Sequence, residues 1–209
     1  MKNNQKTFLK NPFFSALFVL AIFASLFSGY RTISAKPNDL MEARSNANKQ
    51  SDTKTTPEYV IKETEPIYIV GISLETSLKD EQYTQDLQNL WDKYAQEDPL
   101  AKVSNKLDDK IYVAYTNYGS GDGYGFTFVM GHRVANLDTV PADLDSLTIP
   151  ASKYAVFKVS GDLEQNVTQL WEEVEEIDLK RAYSTDLEVY ENSPISETEG
   201  EMEIWASVQ

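Results

Sequence analysis

Apolar and polar positions alternate in a regular way from about residue 67 to the C-terminus. Residues 67–73 (Ile-Tyr-Ile-Val-Gly-Ile-Ser) are rich in β-branched side chains and predict a strand. Residues 80–97 predict a helix, because Leu87, Leu90, Trp91 and Tyr94 recur at helical spacing, and Pro99 ends it. Residues 110–118 predict a second strand, the Gly-rich residues 119–123 a turn, and residues 124–134 a third strand with Tyr124, Phe126, Phe128 and Met130 on one face. Residues 135–150 carry Pro141, an acidic run and Pro150, and predict an irregular crossover. The order then recurs. Residues 154–160 predict a strand. Asp162 is a natural N-cap for a helix over 163–179, whose apolar stripe is Leu163, Val167, Leu170, Trp171, Val174 and Ile177. Residues 185–191 predict a strand, with 201–207 as its hairpin partner.

Each half therefore reads strand, helix, strand, strand. The two helices carry Leu90-Trp91 and Leu170-Trp171 at matching places, 80 residues apart. Internal duplication is the economical account. It predicts an α+β fold: a duplicated βαββ unit, antiparallel sheets or half-sheets facing each other, two packed helices, and a central ligand cleft between the halves. The tryptophans read as anchors of helix to sheet. In residues 185–191, alternation puts Leu187 and Val189 on one face and Asp186, Glu188 and Tyr190 on the other. A carboxylate beside an aromatic in mid-strand is costly to bury unless something compensates it, and this marks Glu188 as the candidate acid of the cleft.

The first 57 residues have another character. Lys2, Lys6 and Lys10 precede a stretch, residues 13–27, that is almost wholly apolar. The run is long for a signal-peptide core and short for a membrane span of about 20 residues. Residues 1–35 are thus expected to be a signal peptide, cleaved after Ala35, or a retained N-terminal membrane anchor. Either places the domain on the outer, periplasmic or extracellular, side of the cytoplasmic membrane. Residues 36–57 are polar and read as a flexible linker, so the folded domain is expected over 58–209.

Charge narrows the partners. The formal net charge is −14, divided between eight basic and three acidic residues before Glu58 (net +5) and eleven basic and thirty acidic residues from Glu58 onward (net −19). An acidic domain repels phosphate backbones, so no nucleic acid partner is expected, while cations, including organic ones, are drawn in. There is no Cys, which removes disulfides and thiolate chemistry, and one His, His132, which leaves no His-based metal site and no Ser-His-Asp triad. No metal and no cofactor are expected. Twelve Tyr and nine Phe supply enough aromatic surface for a core and a lined pocket.

Several segments together resemble the GyrI-like, or AraC-type, effector-binding domain family. They are Val70-Gly71-Ile72, the Leu90-Trp91 helix, Tyr112-Val113-Ala114-Tyr115, Gly131-His132-Arg133-Val134, the run from Leu147 to Phe157, Gly161, the Leu170-Trp171 helix and Asp186-Leu187-Glu188-Val189-Tyr190. The resemblance implies a cleft that binds small, often aromatic or cationic, molecules, with an acid of the late strand at its base, matched here by Glu188. Two departures stand out: Ser152 where the family usually has Gly, and His132-Arg133 where an acid usually follows the Gly. Arg133 is therefore a candidate partner for Glu188. No DNA-binding helix-turn-helix is read in residues 1–57, and export would separate the domain from gyrase. The expected ligand-binding residues are Glu188, Tyr190, Tyr115, Phe128 and Trp205. The alternative, implied by hydrolases among the relatives, uses Glu188 as general base on water with Tyr190 or Tyr115 as hydrogen-bond donor.

Overall fold

Strand alternation divides the side chains of one long sheet between two apolar faces. The computed structural model describes residues 56–79, 82–121, 123–191 and 200–209. The signal or anchor expected over 1–35, and nearly all of the linker, lie outside the described residues. Among the described residues no helix is long and apolar enough to cross a membrane.

The elements are β1 (Val60–Thr64), β2 (Ile67–Ser77), α1 (Gln82–Glu97), a 3-10 turn (Pro99–Lys102), β3 (Ile111–Ser120), β4 (Gly125–Val134), β5 (Asp145–Ile149), β6 (Ser152–Gly161), α2 (Leu163–Glu176), β7 (Thr185–Tyr190) and β8 (Gly200–Val208). All the strands form a single antiparallel sheet in the order β1-β6-β8-β7-β3-β4-β2-β5. The expected facing sheets or half-sheets are parts of one continuous sheet, joined at its centre by β3 and β7. Within each half the strand before the helix lies beside the second strand after it: β2 beside β4, and β6 beside β8.

Two strands depart from expectation. The crossover over 135–150 contains β5, which pairs along β2. Val60–Thr64 forms the opposite edge, paired to β6, with Val60 and Ile61 exposed. Edge strands have one neighbour and need no continuous apolar run. Tyr124 also falls outside its predicted face: it is exposed in the turn, while Phe126, Phe128 and Met130 are buried.

Both helices cover the same sheet face. α1 packs on β2, and α2 on β6 and β8. Leu87, Leu90, Trp91 and Tyr94 of α1 and Leu163, Val167 and Val174 of α2 join Phe126, Phe128, Met130, Tyr115 and Tyr190 in one core. The other face carries Ile67, Ile69, Tyr112, Val129, Tyr154, Leu187, Val189 and Trp205. None of these is more than 4% exposed, although no described helix covers them. The sheet curls, and its own strands enclose that face. Gly71 and Gly131 pair directly across β2 and β4. A Cβ on Gly71 would stand 1.9 Å from the Met130 carbonyl oxygen, so the two backbones approach too closely there for any side chain.

Asp162 caps α2, with an extended backbone and its carboxylate accepting from the Gln165 N–H at 3.2 Å. The helix stops at Glu176, because Ile177 is already extended. Asp162→Ala leaves that N–H to water alone, and a cost of about 1 kcal/mol is expected in a urea unfolding titration.

Candidate functional site

The site is built on β7, a central strand paired on both sides. Glu188 stands opposite Val113 of β3 and Ile204 of β8. All six residues of β7 are buried. Leu187 and Val189 enter the enclosed face, while Tyr190 enters the helix-covered core. Alternation then places Glu188 and Asp186 on the helix side.

The Glu188 side chain is 0% exposed. Trp171 Nε1 of α2 donates to its Oε1 at 2.8 Å, and the Tyr190 hydroxyl donates to Oε2 at 2.8 Å. The Tyr115 phenol also stabilises the carboxylate. Burial nevertheless dominates. It raises the Glu188 pKa above the ordinary carboxylate value, and the three donors only oppose that rise. The phenols of Tyr115 and Tyr190 are pushed up as well, first by burial and then by the neighbouring Glu188 charge.

Aromatic rings wall the carboxylate. Tyr115 of β3 meets Phe128 of β4 edge to face, centroids 5.3 Å apart. Trp91 of α1 meets Tyr190 edge to face at 6.1 Å. Trp91 Nε1 is buried with no hydrogen-bond partner among the described residues. The tryptophans of the two helices thus converge on β7 from opposite sides. The Trp171 indole lies against the acid, and among the described residues no open cleft reaches Glu188.

Tyr190, Tyr115 and Phe128 are brought together around Glu188. Trp205 is not. It pairs with Leu187, and directly opposed residues share a face, so it enters the enclosed side of the sheet. There its Nε1 donates to Glu203 at 2.8 Å, Lys62 Nζ lies 3.9 Å from its ring, and Tyr154 packs at 5.6 Å. Arg133 is corrected for the same reason. It stands opposite Ile69 of the enclosed face and lies close enough to Tyr112 to affect its phenol, so it cannot balance Glu188. His132 is a structural residue. A carbonyl can only accept, so His132 Nδ1–H donates to the Lys110 oxygen at 2.9 Å, and burial lowers the ring's pKa.

The cation near the site is Arg181, in the connection between α2 and β7. Its guanidinium bonds Glu175 at 2.5 Å and Asp186 at 2.6 Å, and its side chain is 6% exposed. Burial works against its charge, but the two carboxylates more than offset that and its pKa is raised. Asp186 also accepts from the Tyr118 hydroxyl at 2.9 Å and the Ser207 N–H at 2.7 Å. Asp186 is therefore matched by a cation. Glu188, two residues on, is matched only by neutral donors among the described residues. Sequence reasoning missed Trp171, Trp91 and Arg181 as parts of the site. The matched Leu-Trp pairs were a usable signal for the first two; nothing in the sequence singles out Arg181.

Among the described residues no group of three His, Cys, Asp or Glu side chains is placed to hold a metal. The hydrolase alternative gains no support, since Glu188 has both oxygens engaged by donors and its neighbours are phenols and indoles. The fold, a curled antiparallel sheet with two helices on one face, is that of effector-binding domains. Residues 60–208 match the family model described as Cass2, integron-associated effector binding protein, and the chain belongs to that family. Among solved structures, an integron cassette protein of Vibrio cholerae is 27% identical, with a TM-score of 0.56 over 72% of this chain and 95% of that one. SAV2435, solved bound to tetraphenylphosphonium, is 23% identical, with a TM-score of 0.59 over 73% of this chain and 94% of that one. A putative transcriptional regulator, YobU of Bacillus subtilis (strain 168), is 28% identical over 57% of this chain and 78% of its own length.

Proposed function

We propose that this protein binds a hydrophobic organic cation between α1 and α2, with Glu188 as the counter-charge and Tyr115, Phe128, Tyr190, Trp91 and Trp171 as the aromatic walls. The observation that carries this reading is a fully buried carboxylate that, among the described residues, is held by neutral donors alone. Ionised, it costs several kcal/mol of desolvation, which a bound cation would offset. Aromatic faces add about 0.5–2 kcal/mol per well-placed ring. The structure of SAV2435 with tetraphenylphosphonium supports the choice of ligand class. The matched strand order and the paired tryptophans support an origin by duplication of a βαββ unit, each half supplying one wall.

The proposal includes export or tethering through residues 1–35, on the strength of Lys2, Lys6 and Lys10 ahead of an apolar run. N-terminal sequencing of the mature protein and fractionation of cells test it: an intact N-terminus in the cytoplasmic fraction contradicts it. An acidic domain of net −19 after residue 57 supports the absence of a nucleic acid partner.

The raised Glu188 pKa gives the binding a pH dependence with a definite sign. Only the ionised carboxylate attracts a cation. Affinity for tetraphenylphosphonium is expected to be flat above the raised pKa and to fall below it, by up to about tenfold per pH unit. Isothermal titration calorimetry at a series of pH values checks this. An affinity that does not change as the solution is acidified would sink the assignment of Glu188 as the counter-charge.

A further inference from the structure

Two connections between α2 and β7 run side by side. In the first, Trp171 of the helix reaches Glu188 of the strand. In the second, Glu175 of the helix reaches Asp186 of the strand through Arg181. Glu175 is four residues after Trp171 on the same helix face, about 6 Å along the axis. Asp186 is two residues before Glu188 on the same strand face, about 6.7 Å along the strand. The spacings match, so the connections form two rungs of one ladder between helix and strand.

The second rung is tightly fixed. Arg181 lies in a backbone bridge to Val208, and Ala182 donates to the Ser207 carbonyl at 2.8 Å. Its guanidinium lies 4.7 Å from the Tyr183 ring and 5.7 Å from the Trp171 ring. The Tyr183 hydroxyl donates to the second Glu175 oxygen at 3.1 Å. The first rung is the weak one. Of the donors around Glu188, Tyr115 and Tyr190 are each 1% exposed, whereas Trp171 is only partly buried.

We propose that Arg181 is a positioning residue for this site: by joining Glu175 to Asp186 it holds Trp171 closed over Glu188, and a ligand enters by displacing the indole while the Arg181 rung stays intact. This rests on the reading of the site as a cation site. It adds that access to the acid is set by a charge cluster that the ligand does not touch.

The test uses the full chain and two readouts. The first needs no ligand. In 15N-labelled protein the Trp171 indole N–H resonance, assigned by its loss in Trp171→Phe, reports the bond to Glu188. Glu175→Ala cuts the helix end of the rung and leaves the Arg181–Asp186 pair. It is expected to move that resonance toward the position of a free indole and to speed its exchange by roughly tenfold. Glu175→Gln, which can still accept from Arg181, is expected to stay near the wild type. The second readout is the stopped-flow association rate of tetraphenylphosphonium. Glu175→Ala and Trp171→Phe are each expected to raise it about tenfold, and the double variant to gain little beyond either alone, since both open the same cover. Should Glu175→Ala fail to fold, Tyr183→Phe replaces it, with a rise of about threefold from one lost hydrogen bond. An unchanged Trp171 resonance in the variant used, or fully additive rates, overturns the proposal. If tetraphenylphosphonium does not bind the wild type, the cation reading fails, and the ligand-free resonance still decides the role of Arg181.

Discussion

Glu188→Gln is expected to weaken tetraphenylphosphonium binding by about a hundredfold, because truncating one side of a buried charge contact costs several kcal/mol. The substitution keeps the shape of the site. The Gln carbonyl can accept from Trp171 Nε1, and its amide can donate to the Tyr190 hydroxyl oxygen, which now turns its own hydrogen away. Affinity therefore falls for electrostatic reasons, with the walls in place. Stability is expected to move the other way. A carboxyl whose pKa is raised by folding stabilises the native state fully below the unfolded pKa, and that contribution is lost as the pH rises through the folded pKa. Above its raised pKa the ionised Glu188 is a net cost, and the neutral amide removes it. The thermal midpoint of Glu188→Gln should exceed that of the wild type above that pKa, and the gap should close on acidification through it. Differential scanning fluorimetry over that range, with and without ligand, reads both effects. A variant that binds as tightly as the wild type would contradict the assignment.

Asp186→Ala is expected to be the most damaging single change to stability, at about 3–5 kcal/mol in urea denaturation. One side chain satisfies the Arg181 guanidinium, the Tyr118 hydroxyl and the Ser207 N–H, and it is 2% exposed. Its loss takes this acceptor from all three, and among the described carboxylates Glu175 would still hold the guanidinium. The contrast with Glu188 is the instructive part. Both acids are buried on one strand, two residues apart and facing the same way. One is compensated within the protein and serves the fold; the other is held, among the described residues, by neutral donors, and in the proposed reading it is the counter-charge of a bound cation. The pair therefore separates by experiment: Asp186→Ala is expected to lower stability, and Glu188→Gln to raise it while weakening binding.

Much of this arrangement was legible in the chain. The apolar stripes of α1 and α2, the alternation in β7 and the acid beside Tyr190 are local patterns, and they set Glu188 and Tyr190 on one face of their strand; Tyr115 and Phe128 share that side of the sheet, which the sequence alone left open. β1 and β5 were not legible, because a short edge strand with exposed positions resembles a loop. Trp205 went to the wrong face for a definite reason. Its side depends on the register of β8 against β7, and a slip of one residue reverses every side chain. The residues joining the two strands include Asn192-Ser193-Pro194, a turn signal, but the connection is too long for one turn type to fix that register. Arg133 was within reach of parity reasoning: Phe126, Phe128 and Met130 already define one face of β4, and position 133 falls on the other. The contact of Trp171 with Glu188 depends on how α2 sits along β7. No spacing within either segment encodes that, and the Arg181 rung that sets it joins the end of α2, the connection after it and the start of β7.

In a crystal structure of residues 58–209 with tetraphenylphosphonium, one phosphonium is expected between α1 and α2, its centre within about 6 Å of an aromatic wall, beside the Glu188 carboxylate, with the Trp171 indole moved off Oε1. A ligand seated on the enclosed face near Trp205, or one between the helices with the Trp171–Glu188 hydrogen bond unbroken, would contradict the proposed site.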